Sequence, residues 1–375
     1  MGVREDGRAM AGEVARADST GKTGFLRSGS LFDGIVAVLS ALMVIGVAWD
    51  FRRHAEGISF AEEGFFTVQH VFFYSMFLGI AAVIGLATVA NRRAGAQWVE
   101  AVPTGYGWGV VGVLLFGVGG LGDLAWHSAF GFEKGIEGLV SPSHLALGLG
   151  ATIFLASPLR AAWYREGDLE GADVLSVVLS ASLALSIVAM FAGYLNPLVR
   201  PIVTRNFGVP IDMGIAMLTA FPLLFVGAGI ALCRRFDLPP GALTIVFAVP
   251  ALASSVPFDR GQYAAAAIVA GLVADALVTW RRPVPGDTVA IRLFSAVVPA
   301  TFAAVFFAVV QLERGIIIWT THLWTGAIVL PALAGLLLSY AVAPPSVPQR
   351  DDDTETDPAG GEATETTETM KTTDS

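Results

Sequence analysis

Ten apolar stretches alternate with short polar connections along most of the chain. They cover about 31–50, 67–90, 106–125, 142–159, 173–195, 211–233, 241–257, 262–280, 293–312 and 316–342. A helix needs about 20 apolar residues to cross a bilayer, and nearly all of these runs reach that length. The seventh is the shortest and contains Pro250. The connections leave no room for a separate soluble domain, so the pattern predicts an all-α, polytopic membrane helix bundle over residues 31–343 with about ten transmembrane helices. Residues 1–30 are polar and mixed in charge, without the short apolar core of a signal peptide, and are expected to form a disordered cytoplasmic extension. Residues 344–375 are acidic and Thr-rich and cannot bury a core, so they read as a disordered cytoplasmic tail.

Composition agrees with that picture. Of 375 residues, 54% are hydrophobic and only 15% charged, against about 25% charged in soluble domains. Mean hydropathy is +0.65. The net charge of −9 is nearly all tail: residues 351–375 hold nine acids against Lys371 alone, which places −8 there and leaves −1 for residues 1–350. An almost neutral body argues against a nucleic-acid partner and leaves the lipid bilayer as the expected one, with partner subunits or further copies of the chain open. A single cysteine, Cys233, excludes an intrachain disulfide and a Cys-rich metal site. With the N-terminus inside, inner segments carry 16 Lys and Arg and outer loops carry seven. The positive-inside rule then expects both termini in the cytoplasm and the chain in the plasma membrane.

The rare ionisable residues are patterned. D-F-R-R-H-A-E-G-I-S-F-A-E-E-G-F-F-T-V-Q-H runs from Asp50 to His70, and D-L-A-W-H-S-A-F-G-F-E-K-G-I-E-G-L-V-S-P-S-H from Asp123 to His144. Both copies keep Asp and His four apart (Asp50/His54, Asp123/His127) and Glu-Gly seven before the second His (Glu63/His70, Glu137/His144). This predicts an internal repeat of two helix hairpins, 31–90 and 106–159, in the first four spans. Residues four apart share a helix face. Thr67 and Ser141 stand where N-caps belong, and Pro142 suits a first helical position. Each second His then starts a helix beside the end of the preceding one. Two imidazoles and a carboxylate so gathered make a facial metal site with open positions. The expected ligands are Asp50, His54 and His70, and Asp123, His127 and His144, with Glu63 and Glu137 as further ligands or as groups that orient a His. His322, nine residues after Glu313, can complete a shared site or serve only as an interfacial His between Trp319 and Trp324.

The second copy resembles the metal motif of the C subunit of the copper membrane monooxygenases, the particulate methane and ammonia enzymes: Asp123, Trp126-His127 and Ser141-Pro142-Ser143-His144. The first copy shares a different part, Phe66-Thr67, His70 and Tyr74. The resemblance spans about 25 residues in each copy. It implies copper held within the membrane by Asp123, His127 and His144, in an oxidase- or monooxygenase-like subunit or a copper-handling protein. Iron and zinc also suit these donors. Whether the chain catalyses a reaction stays open. Two other readings compete: a proton-coupled transporter with Asp275 as its deep acid, and a membrane haem protein with His70 and His144, or His322, as axial ligands.

Overall fold

The computed structural model describes residues 29–56, 65–131, 136–165, 169, 171–200, 202, 209–284 and 286–345. Among these there is no strand. The ten principal helices are α1 (Ser30–Ala55), α2 (Val68–Arg93), α3 (Gly107–Phe130), α4 (Pro142–Leu155), α5 (Ala172–Phe191), α6 (Ile211–Arg235), α7 (Ala242–Ser255), α8 (Ala265–Trp280), α9 (Thr288–Arg314) and α10 (Thr321–Val342). Within the described residues nine helical segments are long and apolar enough to cross a membrane, α4 being extended to Trp163 and α8 beginning at Gly261. The chain is therefore an all-α, multi-pass membrane bundle. Of the expected extension 1–30 and tail 344–375, residues 1–28 and 346–375 lie outside the described residues, and Ser30 belongs to α1.

The seventh run departs from a full span. α7 and its closing 3₁₀ turn cover only Ala242–Phe258, about 25 Å at 1.5 Å per residue. Pro250 lies inside it. What lets it start inside the bundle is a carboxylate from a neighbour. Asp275 on α8 accepts hydrogen bonds from the Leu243 amide (3.1 Å), the Thr244 amide (2.9 Å) and the Thr244 hydroxyl (2.6 Å). Two of the orphan amides of a helix start are satisfied from another helix, and the positive end of the helix dipole faces a negative group. Gly271, one turn earlier on α8, allows the approach: a Cβ there would lie 2.7 Å from Thr244 Cα.

Two apolar cores fill the body. One gathers α1–α4, the other α6–α10, and α5 contributes to both: Leu183 and Ile187 to the first, Val177 and Val178 to the second. α5 is accordingly the most enclosed span, with 67% of its apolar window buried. α2, α3 and α10 turn exposed leucines such as Leu78, Leu114 and Leu337 outward, as helices that are apolar all round do beside lipid. At one end of the first core Asp33 is fully buried. It accepts the Tyr106 hydroxyl at 2.6 Å and pairs with Arg165, which also binds Asp173 at 2.7 Å.

The connection between α8 and α9 lies outside the spans. Asp287 caps α9 by accepting the Ala290 amide at 2.9 Å. The hydrogen bond from the Arg281 guanidinium, followed by that amide, holds its carboxyl below the ordinary 3.8. A depressed carboxylate stabilises the fold above its unfolded value, and that contribution is lost as pH falls through the folded one. The stability gap between wild type and Asp287→Asn should thus be constant at neutral pH and close on acidification below about pH 4, as read from unfolding in detergent at a series of pH values. Asp275→Ala should cost about 2 kcal/mol by stranding buried amides at the start of α7, with Asp275→Asn retaining part of it, measured by the same unfolding assay.

Candidate metal centre

α1 and α2 form one antiparallel hairpin, α3 and α4 another, so the ends of α1 and α3 lie beside the starts of α2 and α4. The local sequence does the placing. The Thr67 hydroxyl accepts the His70 amide (3.2 Å), and the Ser141 hydroxyl accepts the His144 amide (3.4 Å). Both are the N-caps expected, and Pro142 occupies the first position of α4. α3 and α4 meet through glycines: a Cβ on Gly112 would lie 2.8 Å from the Gly150 carbonyl oxygen, and one on Gly150 would lie 2.7 Å from the Phe116 nitrogen. A Cβ on Gly119 would lie 3.0 Å from the Leu147 nitrogen. Asp123 follows Gly119 by one turn, so the seam delivers its carboxylate to His144.

Asp123 Oδ1 stands 3.4 Å from His127 Nε2 and 3.4 Å from His144 Nδ1. Among the described residues these three form the one group of its kind whose ligand atoms all lie within 4.8 Å of one another. Donors that share an ion at about 2.0–2.2 Å sit about 3–3.5 Å apart, so the spacing suits a single cation. Asp123 is 2% exposed. Ser143 donates to its Oδ1 at 2.9 Å. His127 Nδ1 lies 3.2 Å from the Gly131 carbonyl oxygen. A carbonyl only accepts, so Nδ1 donates there and Nε2 is the nitrogen that faces the carboxylate. This is the orientation that outer hydrogen bonds give metal-ligating histidines. His144 Nδ1 also meets the Ser141 hydroxyl at 2.7 Å.

The first set is similar but looser. Asp50 Oδ2 is 3.4 Å from His54 Nε2, and Oδ1 is 3.5 Å from His70 Nε2. The two histidines thus address different oxygens of one carboxylate. His54 is half-exposed, whereas His70 is buried. The Phe65 carbonyl accepts from His70 Nδ1 at 2.5 Å, which leaves Nε2 as the nitrogen that faces Asp50. Asp50 Oδ1 is buried without a hydrogen-bond partner among the described residues.

The two sets share one cavity, lined by Asp50, His70, Tyr74, Asp123 and His144 on its polar side. Phe65 links them further: its ring centroid lies 5.0 Å from that of His70 and 6.4 Å from that of His127. His322 stands elsewhere. It is exposed at the start of α10, which packs chiefly on α6 and α9, and it does not line the cavity. Glu63 and the side chain of Glu137 lie outside the described residues. Sequence reasoning missed the Phe65 and Gly131 carbonyls, since any residue supplies one, and the Ser143–Asp123 bond, which needs the hairpin closed. Comparison with family models, curated proteins and solved structures finds no match to this chain.

Because the α3–α4 seam sets the distance between Asp123 and His144, Gly150→Ala should disturb both. Overpacking of this kind costs about 1–3 kcal/mol. The expected result is a lower unfolding midpoint in detergent together with reduced metal retention, whereas Gly122→Ala, with nothing within 4 Å of its added Cβ, should behave as wild type.

Proposed function

We propose that this membrane protein holds metal, with copper favoured over iron and zinc, at the two Asp/His/His sets, whose Asp50, His70, Asp123 and His144 line one cavity. The observation that carries the reading is the meeting of His127 Nε2 and His144 Nδ1 on one buried Asp123 oxygen, each at 3.4 Å. Two imidazoles and one carboxylate suit copper, iron and zinc and leave coordination positions open. The unpartnered Asp50 Oδ1 opposite His70 supports a cation in the first set as well. Bound copper would supply a redox-active Lewis acid at the end of the bundle that the positive-inside bias turns outward. The chain's own residues hold and orient it: the carbonyls of Gly131 and Phe65 fix two rings, and Ser143 fixes the Asp123 carboxylate. The motif resemblance favours an oxidase- or monooxygenase-like subunit or a copper-handling protein. A transporter reading would draw on Asp275, but that carboxylate is engaged in capping α7.

Metal analysis of the detergent-purified chain tests the proposal. Wild type should retain copper through gel filtration. His127→Ala with His144→Ala should remove most of it, and His54→Ala with His70→Ala should remove a separate fraction. Metal-free wild type, or a metal content that both double variants leave unchanged, would overturn the reading. A Soret band in the purified protein would replace it with the haem reading.

A further inference from the structure

Of the polar side chains around the cavity, four belong to the two Asp/His sets, and the fifth is Tyr74. Tyr74 follows His70 by one turn of α2, within electrostatic reach of both Asp123 and Asp50. Its ring packs against Phe73 (4.5 Å between centroids) and Phe116 (5.8 Å), which hold it in place. Its hydroxyl makes no hydrogen bond with a described residue. Room for that hydroxyl is made on the facing helix: a Cβ on Gly120 of α3 would lie 2.9 Å from Tyr74 Oη. Gly120 stands one turn before Asp123's neighbour Leu124, so the phenol is admitted on the very stretch of α3 that carries the carboxylate. A phenol within reach of two carboxylates is a donor, since both neighbours only accept.

We propose that the Tyr74 hydroxyl is the hydrogen-bond donor that orients a small anion at an open coordination position of the Asp123/His127/His144 centre. The proposal rests on the metal reading above. Without a cation the two carboxylates repel an anion. With one bound, the anion sits between a positive centre and a fixed donor, in a cavity whose remaining walls are apolar, such as Phe51, Leu147 and Ile187. Among apolar walls a hydrogen bond to an ionised acceptor is worth more than one in water. Tyr74 acts here as a positioning residue toward the ligand and not as a metal ligand.

Azide is the probe. The full chain in detergent is loaded with copper(II), its copper content is measured, and azide is titrated while the azide-to-copper charge-transfer band and the copper(II) electron paramagnetic resonance are followed. Tyr74→Phe should hold as much copper as wild type, give the same resonance before azide is added, and bind azide about tenfold more weakly. Gly120→Ala, which crowds the hydroxyl without removing it, should shift azide affinity in the same direction. Equal azide affinity in wild type and Tyr74→Phe at equal copper content would overturn the proposal. So would a copper-loaded wild type that gives no azide band, in which case the metal reading stands alone. A wild type that retains no copper overturns the metal reading and this proposal with it.

Discussion

A carboxylate inside an apolar bundle is the constraint around which this structure is arranged. No water in the hydrocarbon region can solvate it, so each one must be met by donors or by positive charge. The chain meets this demand in distinct ways. Asp33 is enclosed by Tyr106 and Arg165, a complete solution with a permanent cation. Asp275 is met by the start of α7, whose amides and dipole act as the donor. Asp123 and Asp50 have no arginine or lysine paired with them among the described residues. They face histidines whose Nδ1 hydrogens, at His127 and His70, are already given to backbone carbonyls. The first two acids are structural because they are satisfied. The other two are met by histidines, and Asp123 by Ser143 as well, and that gathering of metal-ligating groups makes them the candidates for chemistry.

Antiparallel hairpins turn that local chemistry into a site. A helix that ends in Asp-x-x-x-His and a next helix that begins with a capped His place their polar ends together whatever the apolar sequence between them. Bringing the two hairpins to one cavity takes more. The α3–α4 seam is set by glycines at 112, 119 and 150, α1 and α2 approach through Gly46 against Phe72 and Phe73, and Phe65 and Tyr74 fill the space between the sets. Small residues permit close backbone approach where apolar burial gives little direction, which is how helices associate in a membrane.

Much of the bundle was legible because bilayer thickness imposes a length that hydropathy reveals directly. The ten apolar runs and the ten principal helices correspond one to one, and the short seventh run is the short seventh helix. The caps at Thr67 and Ser141 were legible because a cap is a local device. What local patterning could not show is lateral arrangement. These helices are apolar on every side, so their sequences do not mark which face meets which neighbour. Asp33 pairs with Arg165 across 132 positions and Asp275 caps a helix 31 and 32 positions back. Neither separation carries a periodic signal. For the same reason the sharing of one cavity by Asp50 and Asp123 follows only from the packed helices.

The two Asp/His sets also differ in a way that one aligned position explains. Thr67-Val68-Gln69-His70 stands against Ser141-Pro142-Ser143-His144. Ser143 is short, and its hydroxyl reaches Asp123 Oδ1 at 2.9 Å. In the first set the matching residue is the buried Gln69, and Asp50 Oδ1 accepts no hydrogen bond among the described residues. The Asp123 carboxylate is therefore held in orientation by the protein alone, and its two histidines converge on the same oxygen. The Asp50 carboxylate faces its two histidines from opposite oxygens, and its Oδ1 accepts no hydrogen bond among the described residues. A preoriented carboxylate loses less freedom when an ion arrives, so on the metal reading proposed above the second set would hold an ion more firmly than the first.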